Sequence, residues 1–300
     1  MTIAAVPSRL LETFRERAPV GVEIVAYDDD ADLRAVRFLV PTGREILDAL
    51  PGLTELSVIQ TLSAGTDWIE PYVPPDTILC SARGARDGPV AEWVVGALLG
   101  ASTQLLRSAR ERAWDDQREL QDLGGSTVLI VGMGSIGHRV AAYLAPLEVS
   151  VVGVGSRAHD GLHGVEELPV LLPDADAVVV LTPLTEATRG LIGAAELAAM
   201  PDGSLLVNAA RGAVVDTEAL VAELSDGRLR AVLDVTDPEP LPDDHPLWTA
   251  PGTLSITPHI GGDSPAGHAR AAALATEQLA RWAAGEPLRN VVLDVPRILS

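Results

Sequence analysis

Lysine is absent from this chain of 300 residues, and all 22 of its basic residues are arginine. The absence excludes mechanisms that need a lysine amine, such as a Schiff base, a pyridoxal phosphate anchor or a P-loop lysine. Positive charge is scarce as well, because 42 acidic residues give a formal net charge of −20. This balance opposes binding to nucleic acid and to anionic lipid, so we expect no nucleic-acid partner and no membrane attachment. A small anionic substrate is compatible with it, provided that one or two arginines are held in the site.

Cysteine and aromatic residues are also rare. Cys80 is the only cysteine, which excludes an internal disulfide and a cysteine-based metal cluster, and we expect no metal. Aromatic residues make up 3% of the chain, so the core must be built mainly from Ala, Val and Leu. The first residues lack the apolar core of a signal peptide, and no apolar run reaches the roughly 20 residues that span a bilayer. We therefore expect a cytoplasmic protein.

Short apolar runs of β-forming residues alternate with helix-like segments along the chain. In the first third, the predicted strands are Val22–Tyr27, Val36–Val40, Ser57–Leu62 and Thr77–Cys80, with helices at Ser8–Arg17 and Gly43–Leu50. A long helix is predicted over Pro89–Arg112, leading into a second unit. Alternation at this spacing predicts an α/β protein with parallel sheets covered on both faces.

The second unit is predicted to be a doubly wound α/β domain. Its predicted strands are Thr127–Val131, Val149–Val154, Ala177–Thr182, Ser204–Asn208, Leu229–Asp234 and Thr253–Thr257. Its predicted helices are Ser135–Leu147, Ala194–Met200 and Thr217–Leu224, and a last helix, Asp263–Ala284, precedes an apolar run that could return to the first unit. Domains of this kind bind ligands beyond the carboxyl ends of their strands.

A glycine motif, Gly132-x-Gly134-x-x-Gly137, directly follows the first strand of that unit and opens a helix at Ser135 and Ile136. In this setting the motif is typical of dinucleotide binding. The first glycine permits a tight turn, the second lets backbone N–H groups approach a pyrophosphate, and the third lets the helix pack on the strand. A glycine-rich turn without a ligand is the alternative.

The end of the next strand distinguishes the two nicotinamide cofactors. An acidic residue that binds the ribose of NAD is expected there, but the chain has Gly155, Ser156 and Arg157. A hydroxyl and a guanidinium can bind a 2′-phosphate, so the sequence favours NADP(H). In the alternative, Arg157 is a solvated loop residue that stacks on adenine, and NAD(H) is accepted.

Charged groups follow several predicted strands of the second unit. Arg211 follows one strand, Asp234 ends the next and Glu239 lies in a proline-rich loop, while His259 follows the last strand. Thr182 and Pro183 end another strand. Each residue has an ordinary structural alternative: a surface ion pair for Arg211, a solvated acid for Glu239, a hydrogen-bonded loop histidine for His259. Their joint placement favours a single acid–base site, because loops at one sheet edge converge.

The ordered motifs GMGSIG, NAARGAVVD, LDVTDPEPLPDDHPLW and TPHIGG resemble the D-isomer specific 2-hydroxyacid dehydrogenase family, over a stretch from about Ser57 to the C-terminus. This family includes glyoxylate/hydroxypyruvate reductases and phosphoglycerate dehydrogenases. The resemblance implies a Rossmann cofactor domain at 93–267 and a smaller, discontinuous, flavodoxin-like substrate domain at 1–92 and 268–300. It further implies a homodimer joined through the cofactor domain, with the long helix near Trp93–Arg112 contributing.

The resemblance also assigns roles to residues. Arg211, Glu239 and His259 would be catalytic, Asp234 would contact the nicotinamide carboxamide, and backbone N–H groups near Ala64 and Gly65 would hold a substrate carboxylate. The full set of cofactor-binding candidates is Gly132, Gly134, Ser135, Ile136, Gly137, Ser156, Arg157, Thr182, Pro183, Ala209, Ala210, Arg211, Asp234, His259 and Gly261. Arg211 and His259 would also bind the substrate.

The implied chemistry is hydride transfer between nicotinamide C4 and the carbonyl carbon of a small anionic 2-oxo acid. His259 would act as the general acid, Glu239 would orient it, and Arg211 would bind the carboxylate. A nucleotide-sensing corepressor of the same fold is the alternative, and formate or phosphite oxidation is a third option. Arg83 and Arg86 could meet a second anionic group of the substrate or lie in a solvated loop. From the length, we expect no C-terminal regulatory domain of the kind found in long phosphoglycerate dehydrogenases.

Overall fold

The computed structural model describes residues 2–28, 32–111, 114 and 120–294. The chain divides into two compact units, Met1–Arg86 with Ser264–Ser300, and Asp87–Asp263. The predicted junctions at 92–93 and 267–268 fall inside helices, whereas the chain changes unit where those helices begin. The roles of the two units stay predictions.

The described residues form short strands and helices of varied length. The strands are β1 (Thr2–Val6), β2 (Val22–Ala26), β3 (Val36–Leu39), β4 (Val58–Gln60), β5 (Ile78–Cys80), β6 (Thr127–Val131), β7 (Ser150–Gly155), β8 (His163–Gly164), β9 (Ala177–Val180), β10 (Leu205–Asn208), β11 (Arg230–Leu233), β12 (Thr253–Ile256) and β13 (Val291–Leu293). The α-helices are α1 (Leu11–Arg15), α2 (Asp87–Ser102), α3 (Leu105–Glu111), α4 (Ser135–Leu144), α5 (Leu168–Leu171), α6 (Ala194–Ala199), α7 (Thr217–Ser225) and α8 (Pro265–Ala283). In the described ranges, no helix is long and apolar enough to cross a membrane.

The sheet of the first unit has the order β13-β5-β4-β3-β1-β2. Strands β1 to β5 are parallel and follow the 2-1-3-4-5 order of flavodoxin-like folds, which confirms the predicted class. Strand β13 pairs antiparallel with β5, so the apolar run near the C-terminus does return to this unit. Helix α8 packs Ala275 and Leu279 against the strand side chains.

The sheet of the second unit has the order β12-β11-β10-β9-β6-β7-β8, and its strands pair in parallel. The order reverses between β6 and β9, which creates the crevice where doubly wound domains bind ligands. Side chains of β6 alternate between two cores: Val128 and Ile130 face one cluster, and Leu129 and Val131 face the other. Burial on both faces confirms the predicted doubly wound fold.

Two local predictions were wrong. No α-helix forms over Gly43–Leu50, where two short 3-10 turns, Arg44–Ile46 and Leu50–Gly52, occur instead. The predicted long helix is divided into α2 and α3, and its last residue, Arg112, lies outside the described residues. The division has a local cause, because Gln104, between the two helices, has a left-handed φ of +59°, which a right-handed helix cannot include. Strands β1 and β8 and helix α5 were not predicted.

Candidate active site

The glycine turn joins β6 to α4 and combines close packing with open space. A Cβ at Gly132, whose φ is +113°, would lie 2.7 Å from the Leu181 carbonyl carbon, and one at Gly137 would lie 2.5 Å from the Gly132 carbonyl oxygen. These two glycines are therefore required by backbone packing. A Cβ at Gly134, the residue before α4, would meet no atom within 4 Å. The middle glycine thus borders free space at the N-terminus of α4, beside Ser135 and Ile136.

Thr182 lies in the loop after β9, beside this turn, and carries a buried polar atom. The residue is 8% exposed, and among the described residues its Oγ1 has no hydrogen-bond partner. Its backbone nitrogen is 2.7 Å from where a Gly132 Cβ would be, so the loop with Thr182 and Pro183 adjoins the glycine turn. Buried hydroxyls are normally hydrogen-bonded. An unpartnered hydroxyl, a free helix N-terminus and an open glycine fit a dinucleotide at this switch point.

Ser156 and Arg157 follow β7 and are exposed. The Arg157 carbonyl accepts a hydrogen bond from His159 Nδ1 at 2.9 Å, which fixes the backbone of this turn. Within the described ranges, the Arg157 guanidinium has no ion-pair partner. The position where an NAD-binding domain is expected to have an acidic residue, which would repel a 2′-phosphate, is therefore followed by a cation in this chain.

Asp234, at the end of β11, is buried and accepts three hydrogen bonds from the loop after β12. The donors are Thr257 Oγ1 at 2.5 Å, the Ile260 N–H at 2.9 Å and the Gly261 N–H at 2.8 Å. The residue is 4% exposed. Its carboxylate therefore ties the neighbouring loop to the end of its own strand, a role that sequence reasoning did not assign.

His259 lies in that loop and forms a hydrogen bond with Glu239, with 2.7 Å between Nδ1 and Oε1. A carboxylate can only accept, so Nδ1 carries the proton and Nε2 is left for proton exchange. The backbone of His259 has φ +57°, in the left-handed region, and its N–H donates to the Asp234 carbonyl at 2.8 Å. An imposed positive φ at a histidine is typical of a functional site. Both side chains are 42% exposed, so the pair is open to small molecules.

Arg211 follows β10 in a turn that is fixed by side-chain and backbone contacts. Asn208 Nδ2 donates to the Arg211 carbonyl, and Asn208 Oδ1 accepts from the Ala210 N–H, both at 3.0 Å. A Cβ at Gly212 would lie 2.0 Å from the Thr236 carbonyl carbon. The Arg211 turn therefore packs against the backbone that leads to Glu239, and Ala209 and Ala210 lie in the same turn. The Arg211 guanidinium donates to the Ala210 carbonyl at 2.6 Å.

Ala64 and Gly65 belong to the first unit, as do Arg83 and Arg86, whereas the other candidate residues belong to the second. They lie in the loop after β4, where Ser63 Oγ donates to the Gly65 carbonyl at 2.7 Å. Thr61 Oγ1 donates to the Ser63 carbonyl at 2.9 Å. The loop is therefore held by its own hydroxyl groups.

A family model matches most of the second unit. Residues 95–261 match the family model described as D-isomer specific 2-hydroxyacid dehydrogenase, NAD binding domain. The chain belongs to the D-isomer specific 2-hydroxyacid dehydrogenase family. Members of this family are oxidoreductases, and the residues matched include the glycine turn, Arg211, Glu239 and His259.

Three relatives of this family member show the range of its similarities. It is 30% identical over 289 residues to a D-3-phosphoglycerate dehydrogenase of Methanocaldococcus jannaschii, covering 92% of this chain but only 54% of that protein. It is 33% identical over 261 residues to a glyoxylate reductase of Thermofilum pendens, covering 81% and 75%. An NADPH-dependent glyoxylate/hydroxypyruvate reductase of Sinorhizobium meliloti, crystallised with NADP and sulfate, has a TM-score of 0.84, 26% identity and coverage of 97% and 98%.

Sequence reasoning missed several residues that shape the site of this family member. Thr257 is bonded to Asp234, Gly212 packs on Thr236, and Trp93 lies 3.4 Å from where a Gly261 Cβ would be. Thr257 lies in the TPHIGG motif and Gly212 in the NAARGAVVD motif. Their roles could not be found there, because each depends on a contact between loops that are distant in sequence.

Proposed function

We propose that this protein reduces a small 2-oxo acid to the D-2-hydroxy acid, or catalyses the reverse reaction, with a nicotinamide cofactor, preferentially NADP(H). The observation that carries the proposal is the 2.7 Å hydrogen bond between His259 and Glu239. It lies at the carboxyl edge of the same sheet as the glycine turn, where doubly wound domains bind their ligands.

The residues that would hold the cofactor lie along that edge. Gly134, Ser135 and Ile136 would face the pyrophosphate at the start of α4, and the Thr182 hydroxyl would find its missing partner on the cofactor. The predicted contacts of Gly132, Gly137, Pro183, Ala209, Ala210, Asp234 and Gly261 belong to the same proposal. When bound, the cofactor supplies the hydride donor or acceptor.

The side chains around the substrate would handle protons and charge. In the reduction, the imidazolium form of His259 would donate its Nε2 proton to the substrate carbonyl oxygen as negative charge develops there. The ring would be left neutral with the proton on Nδ1, where Glu239 accepts its hydrogen bond. Arg211 would bind the substrate carboxylate, supplying local positive charge in a chain of net charge −20. The substrate contact expected of the backbone near Ala64 and Gly65, in the first unit, stays a prediction.

The preference for NADP(H) rests on Ser156 and Arg157. Both are exposed, and the Arg157 guanidinium has no ion-pair partner in the described part of the chain, so it is available to a 2′-phosphate. The Sinorhizobium reductase, described as NADPH-dependent, supports the same preference. Homodimer formation through the cofactor unit stays a prediction.

The direct test is steady-state oxidation of NADPH and NADH with glyoxylate, hydroxypyruvate and other small 2-oxo acids. We expect turnover with NADPH, and we expect His259→Ala to lower it by about 10²–10⁴-fold while the Kd of NADPH is nearly unchanged. Tight NADPH binding without turnover of any 2-oxo acid would instead identify a nucleotide sensor.

The cofactor preference has its own test. Replacing Arg157 by alanine should weaken NADPH binding about 10-fold or more and leave NADH binding unchanged, because only NADPH has the 2′-phosphate. Fluorescence titration of both nucleotides measures the two constants. Equal losses for both would refute a phosphate contact.

A further inference from the structure

A cavity of about 430 Å³ opens at the amino-terminal edge of the second unit's sheet, away from the glycine turn. Residues at the starts of β6, β9, β10 and β11 line it, together with part of α2 and the segment that leads into β6. Its volume lies in the range of pockets that bind small organic molecules. The groups that carry its chemistry are an arginine, a serine and several apolar side chains.

Arg230 brings a positive charge to this cavity. The side chain is half-buried, with Nε donating to the Gly203 carbonyl at 2.8 Å and Nη2 donating to Gln121 Oε1 at 2.9 Å. Both acceptors are neutral, and no carboxylate forms an ion pair with Arg230 in the described ranges. Burial lowers the pKa of Arg230, and the charge of Arg107 lowers it further. A partly desolvated guanidinium of this kind is costly unless an anion meets it.

Ser204 adds a second group in need of a partner. The residue is 4% exposed and lines the cavity, and its Oγ has no hydrogen-bond partner among the described residues. A buried hydroxyl without a partner is uncommon in folded proteins. Arg230 is the first residue of β11, and Ser204 directly precedes β10, the neighbouring strand. Among the described residues, the cavity wall therefore presents a guanidinium that is bonded only to neutral acceptors and a hydroxyl without a hydrogen-bond partner.

The acidic residues in the wall do not neutralise these donors. Asp176 Oδ2 accepts the Thr127 N–H at 2.8 Å, and Asp202 Oδ1 lies 3.4 Å from Arg228 Nη1. Asp122 is exposed. Because these carboxylates and the net charge of −20 repel anions, a single negative charge suits the site better than a phosphate dianion.

The rest of the wall is suited to an apolar body. Leu98, Leu123 and Leu205 all line the cavity. We propose that this cavity binds a small organic carboxylate, whose oxygens accept hydrogen bonds from the Arg230 guanidinium and the Ser204 hydroxyl while its hydrocarbon part contacts these leucines. The carboxylate could belong to a simple carboxylic acid or to an amino acid.

The test is calorimetric titration of the full chain with three compounds that share one hydrocarbon skeleton: 4-methylpentanoate, L-leucine and isoamylamine. We expect one or both carboxylates to bind and the amine, which lacks the carboxylate, not to bind. Tighter binding of 4-methylpentanoate identifies a simple carboxylic acid, tighter binding of L-leucine identifies an amino acid, and either result supports the site.

Variants test the two donors. Arg230→Gln should raise the Kd of the bound carboxylate at least about 10-fold, and Ser204→Ala should raise it about 3- to 10-fold. Because a substitution at Arg230 can impair folding, Ser204→Ala is the safer variant. Thr253→Val is its matched control, since Thr253 also has a buried hydroxyl without a partner among the described residues but does not line the cavity.

Three results would overturn the proposal: no binding of either carboxylate at millimolar concentrations, binding of isoamylamine, or equal effects of Ser204→Ala and Thr253→Val. None of them depends on whether the protein reduces 2-oxo acids, because the titration requires neither cofactor nor turnover.

Discussion

The Glu239 carboxylate decides which nitrogen of His259 carries a proton, because a carboxylate can accept the Nδ1 proton but cannot donate one. An amide at position 239 could instead donate to Nδ1 and so stabilise the opposite tautomer. We therefore expect Glu239→Gln to lower kcat by about 10²-fold or more, with the Kd of NADPH unchanged. Steady-state kinetics and fluorescence titration measure the two effects.

A second histidine–glutamate pair provides the control for this substitution. His163 Nδ1 lies 2.8 Å from Glu167 Oε2, a geometry close to that of the proposed catalytic pair. Glu167→Gln makes the same change of a carboxylate to an amide, but in the turn after β8, the edge strand of the sheet. It should leave kcat within about twofold. Similar losses in both variants would show that the effect of Glu239→Gln is not catalytic.

The residue types of the site could be predicted from the sequence, but their contacts could not. His259, Glu239 and Asp234 stand in recognisable motifs, and the first two are hydrogen-bonded. The contact of Asp234 with the nicotinamide carboxamide stays a prediction, whereas the three hydrogen bonds that its oxygens accept from the loop after β12 were not expected. That role depends on the left-handed turn at His259, whose φ of +57° is uncommon for a non-glycine residue and could not be located from the sequence.

At the scale of single elements, the turn between β6 and α4 contains one glycine that packing requires and another that is expected to border the bound nucleotide. Gly137 is packed against the Gly132 carbonyl, whereas a Cβ at Gly134 would meet no atom within 4 Å. Gly134→Ala should therefore keep the Tm of the free protein and raise the Kd of NADPH, because the methyl group would occupy the approach to the pyrophosphate. Differential scanning fluorimetry and nucleotide titration separate the two effects.

Gly137→Ala is the complementary variant. Its Cβ would lie 2.5 Å from a backbone oxygen, so the helix must shift and the Tm should fall even without nucleotide. An equal loss of Tm in both variants would contradict the distinction between the packed and the open glycine.

The strands of the second unit were predictable because they are continuous buried runs of β-branched and aliphatic residues. Strand β6 was predicted with the observed bounds, and the other predicted strands differ at their ends by one or two residues. Strand β1 was missed, although Ala4, Ala5 and Val6 are fully buried, because its alanines carry no β-forming preference. The helix predicted at Gly43–Leu50 does not form, because tertiary packing and Pro51 favour short 3-10 turns there.

At the scale of the whole molecule, charge is the property that the sequence determines most directly. A net charge of −20 on 300 residues, without any lysine, means that acidic groups repel one another across most of the surface. Such repulsion destabilises a compact chain, and it is screened over a Debye length of about 10 Å at 0.1 M salt. Arg157, Arg211 and Arg230 provide local positive charge within this otherwise negative potential.

Salt should therefore stabilise the protein. If screening recovers about 1 kcal/mol, raising NaCl from about 20 mM to about 300 mM should raise the Tm by roughly 2–4 °C. Tetramethylammonium chloride at equal ionic strength is the matched control, because a large cation screens charge equally but does not enter small acidic sites. A similar rise in both salts indicates general screening, whereas a rise with sodium alone would indicate specific cation binding. A fall in Tm in both salts would mean that attraction between arginines and carboxylates, rather than repulsion among carboxylates, dominates the electrostatic free energy of the folded chain.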